Sequence, residues 1–576
     1  MTLPTDPFAK LGRYEPRRFV PEGIDFGDAP QVVSLCEKLL AREINSAAEL
    51  EQWLLDGSEL EAALDQYGSI LYIRMTCQTD DPARAAAYQA FVQDVVPAVK
   101  TLGDQLNRMY LEARKRFPLD ARRYQVYDRT VASDVELFRQ ENVPLATEVT
   151  LLEQKYQMVV GAMTVQFQGA ERTMPEMGKY LEEPDRGLRE EAWRATAKRR
   201  LADRDAIDGL YDQMIGLRGR IAANADCSGF CDYIFREMHR FDYRPADCFA
   251  FHQAVQEHVV PLLNAIHMRR REEMKVDRLR PWDLAADPRG RPPLRPFTTP
   301  EELIAGVSRM FDRVDQKLGR QFAEIARLGL LDLASRKGKG PGGYQAQLEE
   351  VRKPFIFMNA VGVDQDVWTL LHEGGHAFHS YAAAEEPLRA YRHAPLEFCE
   401  VASMGMELLA APHVGEFYGQ ADRARSIREH LEEVITLLPW IATIDAYQHW
   451  IYSHPGHSPD QRRRAWLETF RRFRGSVVDW SGLQEEEACV WHRQSHLFIA
   501  PFYYIEYGIA QLGALGLWVR AKKNLKTALA GYRQALALGG SRPIPELFAA
   551  AGLAFDLSER TVAPLAKAVA DELAGL

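Results

Sequence analysis

The sequence contains no long apolar run. Its longest uninterrupted stretches, such as Leu547–Phe555, fall far short of the ~20 residues that a membrane-crossing helix needs. An excess of positive charge is also absent. The net charge is -10, which argues against a nucleic-acid groove or a basic membrane-binding face. Cysteine is scarce and odd in number, with seven residues mostly far apart. They are read as free thiols in a reducing compartment. Cys227 and Cys231 have no second pair with which to close a zinc site. Residues 1–30 mix charged residues and proline with no apolar core, so no signal peptide is expected and the cytoplasm is the default location. No repeat is visible.

What is present is helical periodicity over an ordinary globular composition, 46% hydrophobic and 26% charged, enough for a large core or several domains. From Pro184 to Ala223, apolar residues recur at three- and four-residue spacing, and Asp185 is placed to cap the run. From Thr299 to Leu328 the pattern repeats behind Thr299-Pro300-Glu301-Glu302, which reads as a capping box with proline in the first turn. Residues 280–298 carry five prolines and read as a loop, as does the glycine-rich Lys337–Tyr344. Phe355-Ile356-Phe357-Met358 is one of very few strand candidates. The reading is a mainly α protein with a small sheet, divided near residue 200 into an N-terminal helical lobe (1–200) and a catalytic domain (201–576).

The chemistry concentrates in His372-Glu373-Gly374-Gly375-His376. Starting at Asp364 or Asp366, a helix would carry two imidazoles four residues apart on one face, able to share one Zn²⁺. Glu373 would stand beside them as a general base. The Gly374-Gly375 pair is costly in a helix, each glycine by about 0.5–1 kcal/mol. Tight helix packing and room for a substrate are both open as its reason. A catalytic zinc commonly takes three protein ligands. Residues 395–410 form an apolar segment with three embedded glutamates, Glu397, Glu400 and Glu407. Buried carboxylates need a partner or a metal. Glu400 as the third ligand, with Glu407 seven residues on accepting from a ligand imidazole, is a coherent assignment.

These stretches resemble the M3 family of zinc metallopeptidases, specifically its oligoendopeptidase F branch, with thimet oligopeptidase and neurolysin as more distant members. The residues that carry the resemblance are Phe355–Asn359, Thr369–His379, Pro395–Ser403 with Glu407, Arg240–Tyr243 and His496–Tyr507. It runs from about residue 200 to the C-terminus and is weaker before residue 180. The resemblance implies one zinc per chain held by His372, His376 and Glu400, with Glu373 as base. It also implies a helical, bowl-like fold, as in neurolysin, whose channel admits short peptides, and hence oligopeptide substrates. This sequence has Gly374 where better-known relatives carry a bulkier residue.

The remaining expectations concern substrate. His496 and Tyr507, with Tyr503 and Tyr504, are candidate donors to the oxyanion, against a simple aromatic cluster with Phe498 and Phe502. The strand around Phe357 is expected to offer a free edge to an extended peptide. The preceding loop is expected to close over that peptide on a Gly342-Gly343 hinge. His379 and His393 are expected to be supporting residues. The rivals are a zinc carboxypeptidase or dipeptidase of similar fold, for which no arginine announces itself as a carboxylate anchor, and a silent peptide-binding protein.

Overall fold

The computed structural model describes residues 7–576, and they are mostly helical with two small sheets. Two compact units are interleaved along the chain. The first is built from the chain up to Glu136, Leu294–Ile427 and Gly513–Phe555; the second from Leu137–Pro293, Arg428–Leu512 and Asp556–Leu576. Residue 200 falls within the helix Arg186–Ala202 of the second unit, so these compact units do not follow a single break there.

Both long helical runs form, and both divide at an aspartate. The first becomes Arg186–Ala202 and Arg204–Asn224, and Asp185 caps it by accepting from the Gly187 and Leu188 N–H groups at 2.8 and 3.2 Å. The second becomes Pro300–Val314 and Gln316–Arg327. Its capping box is present: Thr299 Oγ1 accepts from Glu302 N–H at 3.2 Å, and the Glu302 carboxylate accepts from Thr299 N–H at 3.3 Å. The break comes where Asp315 adopts an extended backbone and caps the next helix.

In the second unit, β1 (Thr164–Phe167) and β2 (Ala170–Thr173) form an antiparallel hairpin. Its turn residues, Gln168 and Gly169, both have positive φ, 52° and 74°. That is the sense of turn whose twist matches a hairpin. The first unit holds β3 (Leu331–Ala334), β4 (Tyr344–Leu348) and β5 (Lys353–Ala360) in the order β3-β5-β4. β5 pairs parallel with β3 and antiparallel with β4.

This order corrects the expected free edge. Phe355–Met358 lie in the central strand, so the edge nearest the motif helix belongs to β4 instead. Phe357 is 0% exposed and stacks on Tyr344 with ring centroids 4.7 Å apart, so it is a core side chain rather than a substrate contact. The glycine-rich loop is anchored rather than free. Gly340 N–H donates to Thr76 O at 2.7 Å, Thr79 N–H donates to Gly338 O at 2.6 Å, and the Asn359 amide donates to Gly340 O and Gly342 O at 2.8 and 2.9 Å. Lys339 is buried there against Asp332 at 2.9 Å.

No helix among the described residues is long and apolar enough to cross a membrane. None of the seven cysteines is in a disulfide.

Candidate metal centre

The motif helix spans Asp364–Ala382. Asp366 fixes its start by accepting from the N–H groups of Val361, Gly362 and Val363 at 2.8–3.0 Å. Asp364 anchors the same turn, accepting from Trp368 Nε1, Tyr418 Oη and Ser426 Oγ at 2.9, 2.6 and 2.7 Å. Val367, Leu370, Leu371 and Phe378 are buried on the side away from the histidines.

The glutamate helix, Leu396–Ala410, lies against the motif helix, and the two glycines explain how closely. A Cβ on Gly375 would stand 2.5 Å from Ala402 O and from Ser403 Cα. A Cβ on Gly374 would stand 2.5 Å from the tip of the Phe311 ring, which is itself wedged against Phe322 and Phe378. Both glycines therefore serve packing, against different neighbours. Tyr532 Oη donates to Ala402 O at 2.7 Å and fixes the glutamate helix from behind.

That backbone approach brings the predicted ligands together. One donor atom each from His372, His376 and Glu400 lies within 4.8 Å of the others. Glu400 Oε2 is 3.3 Å from His372 Nε2 and 3.7 Å from His376 Nε2. Two donors around one tetrahedral zinc, each at about 2.0–2.1 Å, are themselves about 3.3 Å apart. Geometry and donor type thus fit zinc. The three side chains are 24%, 18% and 13% exposed, enough to be reached from solvent.

The groups around them complete the arrangement. Glu407 Oε1 accepts from His372 Nδ1 at 2.7 Å, so Nε2 is the nitrogen left to bind a metal once it gives up its proton. Ser403 Oγ donates to Glu400 Oε2 at 2.9 Å. Sequence reasoning gave Ser403 no role, although its position three residues after Glu400 on a helix was the available signal.

Electrostatics separate the carboxylates. Burial disfavours charge on Glu400, but its hydrogen bond from His372 and the nearby His376 outweigh that and hold it at about 2. Burial likewise opposes charge on His372, yet Glu400 and Glu407 carry its pKa well above the ordinary value. His376, with no such hydrogen bond, is lowered by burial to about 4.

Glu373 behaves differently. Burial raises it to about 7, with only partial relief from His372. Its Oε2 is buried and has no hydrogen-bond partner. The backbone amide of Gln345, on β4, favours the charged form of the carboxylate and offsets part of that rise. A Cβ on Gly343 would lie 3.7 Å from Glu373 Oε1, so the residue before β4 borders the same carboxylate. Gly342 has φ +88° and open space around its Cα. Gln345 was missed from sequence because a backbone donor carries no residue signature.

The expected supporting histidines are accounted for. His379 is buried beside Phe398, and burial lowers it to about 3. His393 pairs with Glu349.

His496, Tyr503, Tyr504 and Tyr507 belong to the second unit, where they gather as predicted. The His496 ring centroid is 5.8, 4.9 and 6.1 Å from those of Tyr503, Tyr504 and Tyr507. Phe498 and Phe502 are fully buried, whereas the three tyrosines are half-buried. The phenols are thus less buried than the aromatic core, although Tyr504 packs against it. Arg240 supports this segment, donating to Phe502 O at 2.6 Å and to Glu506 Oε1 at 2.7 Å.

The chain belongs to peptidase family M3, whose family model matches residues 179–566; a model of the peptidase M3 N-terminal domain matches residues 28–138. Within that family it is similar to oligoendopeptidase F. It is 26% identical over 237 residues to an oligoendopeptidase F homolog of Borreliella burgdorferi and 25% identical over 234 residues to oligopeptidase PepF of Bacillus subtilis. Each match takes in 39% of this chain, and 39% and 34% of the relatives' own lengths. A solved structure of PZ peptidase A with inhibitor 2 superposes with a TM-score of 0.87 and 27% identity, over 97% of this chain and 99% of that one.

Proposed function

We propose that this chain is a zinc-dependent endopeptidase that hydrolyses internal bonds of short oligopeptides. The observation that carries the reading is Glu373: a buried carboxylate raised to about 7, with one unpartnered oxygen, directly beside three zinc-type donors. A general base works best when its pKa lies near the working pH.

His372, His376 and Glu400 would hold the zinc, and Glu407 would keep His372 in the ligating tautomer. When bound, zinc supplies a Lewis acid that lowers the pKa of water and polarises a peptide carbonyl. Glu373 takes the proton of the attacking water and returns it to the leaving amine. The half-buried phenol of Tyr507 and the imidazole of His496 are hydrogen-bond donors suited to a developing oxyanion. Tyr503 and Tyr504 would border the substrate. Edge strand β4 offers an extended peptide a backbone to pair with, and Gly342 and Gly343 leave space at its start. Backbone pairing reads little of the side chains and suits broad specificity.

The test is cleavage of internally quenched peptides blocked at both ends. Hydrolysis inside the blocked peptide, lost on chelation and restored by zinc, is expected. Cleavage confined to peptides with a free C-terminus would make the protein a carboxypeptidase instead.

A further inference from the structure

The second unit holds another set of metal-type donors, none of them given a role above. Two helices supply it, each with a pair of side chains four residues apart. Cys248 and His252 lie on Pro245–Ala254; Asp445 and His449 lie on Gln420–Ser453. Such spacing puts both members of a pair on one helix face.

The four side chains are 0%, 2%, 0% and 8% exposed, in that order. Donor atoms of Cys248, Asp445 and His449 lie within 4.8 Å of one another. His449 Nε2 is 3.4 Å from Asp445 Oδ2, close to the ~3.3 Å expected between two ligands of one tetrahedral zinc. The two atoms nonetheless lack the geometry of a hydrogen bond. Asp445 Oδ1 and His449 Nε2 are both buried without a partner among the described residues. Fully buried polar atoms are normally satisfied, and a carboxylate with one orphaned oxygen, its other oxygen lying against an orphaned imidazole nitrogen, needs a reason.

Charge points the same way. Arg240 is the guanidinium whose charge acts on Cys248 and Cys231, and Glu506 already pairs with it at 2.7 Å. A thiolate and a carboxylate together balance a divalent cation. His252 Nε2 bonds Asp445 Oδ2 at 2.8 Å, the kind of contact that orients a ligating carboxylate. Cys231 Sγ lies 3.8 Å from the other nitrogen of His449 and would orient that ring in turn. A cavity of about 410 Å³ is lined by Cys231, Phe249, His252 and His449, so it reaches the imidazole side of the cluster.

We propose that Cys248, Asp445 and His449 form a second metal site for a zinc-class divalent cation, with His252 and Cys231 as positioning residues. Mixed sulfur, nitrogen and oxygen donors suit zinc or cobalt and exclude calcium and magnesium, which take oxygen. Cation entry releases the Cys248 thiol proton to solvent, and the bound ion cross-links the two helices.

Cobalt(II) distinguishes this site from the first. A thiolate ligand gives cobalt an intense near-ultraviolet charge-transfer band, whereas His372, His376 and Glu400 contain no sulfur. The full-length protein, stripped by chelation and reloaded with Co²⁺, should show that band and bind two ions. The double variant His372→Ala/His376→Ala should keep the band and bind one. Cys248→Ala should lose the band and keep one ion at the first centre. Reloaded native protein with no thiolate band would overturn the proposal, whether or not any variant folds. So would a band that survives Cys248→Ala.

Discussion

Gly375 lies so close to Ser403 that a Cβ on the glycine would stand 2.5 Å from the serine Cα. This contact sets the spacing of the two helices that hold the metal donors. Gly375→Ala must push them apart, because backbone cannot yield as a side chain can. The expected loss is about 1–3 kcal/mol of stability from overpacking, with zinc affinity falling at least tenfold as Glu400 retreats. Gly374→Ala meets the Phe311 ring instead. It should cost similar stability and leave zinc affinity nearly unchanged. Thermal unfolding and competitive zinc titration of both variants separate the two effects.

Glu407 reaches the metal centre through His372 Nδ1. Glu407→Gln keeps the side chain's shape but weakens its hold on the imidazole. Zinc affinity should drop about 10–100-fold, with most activity recovered at saturating zinc. Activity measured against free zinc tests this; an unchanged dissociation constant would contradict it.

The contrast between these residues shows what the sequence could carry. Ligand spacing is local: His372 and His376 are one helical turn apart, and Glu400 and Glu407 two turns. Residue type and periodicity therefore sufficed to name them. The purpose of Gly374-Gly375 was not legible, because Phe311 and Ala402 approach only in three dimensions. Strand order was hidden for a related reason. Phe355–Met358 read correctly as a strand, but its central place depends on pairing with Leu331–Ala334 and Tyr344–Leu348 at once. The cluster of Cys248 and Asp445 also escaped, since its two halves lie almost two hundred residues apart and neither is a metal motif alone.

Tyr507 provides a test of the oxyanion assignment. Tyr507→Phe removes one hydroxyl and keeps the ring that packs on Tyr503 and Tyr504. If the hydroxyl stabilises the transition state, kcat should fall about 100-fold with little change in KM. A variant with native kcat would remove Tyr507 from the reaction.

Stability should depend on pH through His267. Burial lowers its pKa from 6.5 to about 4, and its Nδ1 has no partner. Between those values the unfolded chain binds a proton that the folded chain does not. Stability is therefore full above pH 6.5 and is lost as pH falls towards 4, by up to about 3 kcal/mol. His267→Leu should flatten that part of the profile. Urea unfolding of both proteins at pH 7 and pH 4.5 measures the difference.

The central claim is that Glu373 moves the proton while other residues hold the metal. Glu373→Gln alters the base and leaves His372, His376 and Glu400 in place. Steady-state cleavage of a blocked peptide, with the metal content of the same sample, tests it most directly. About one zinc at the His372 centre and turnover reduced at least 100-fold are expected. Native turnover by the zinc-loaded variant would contradict it.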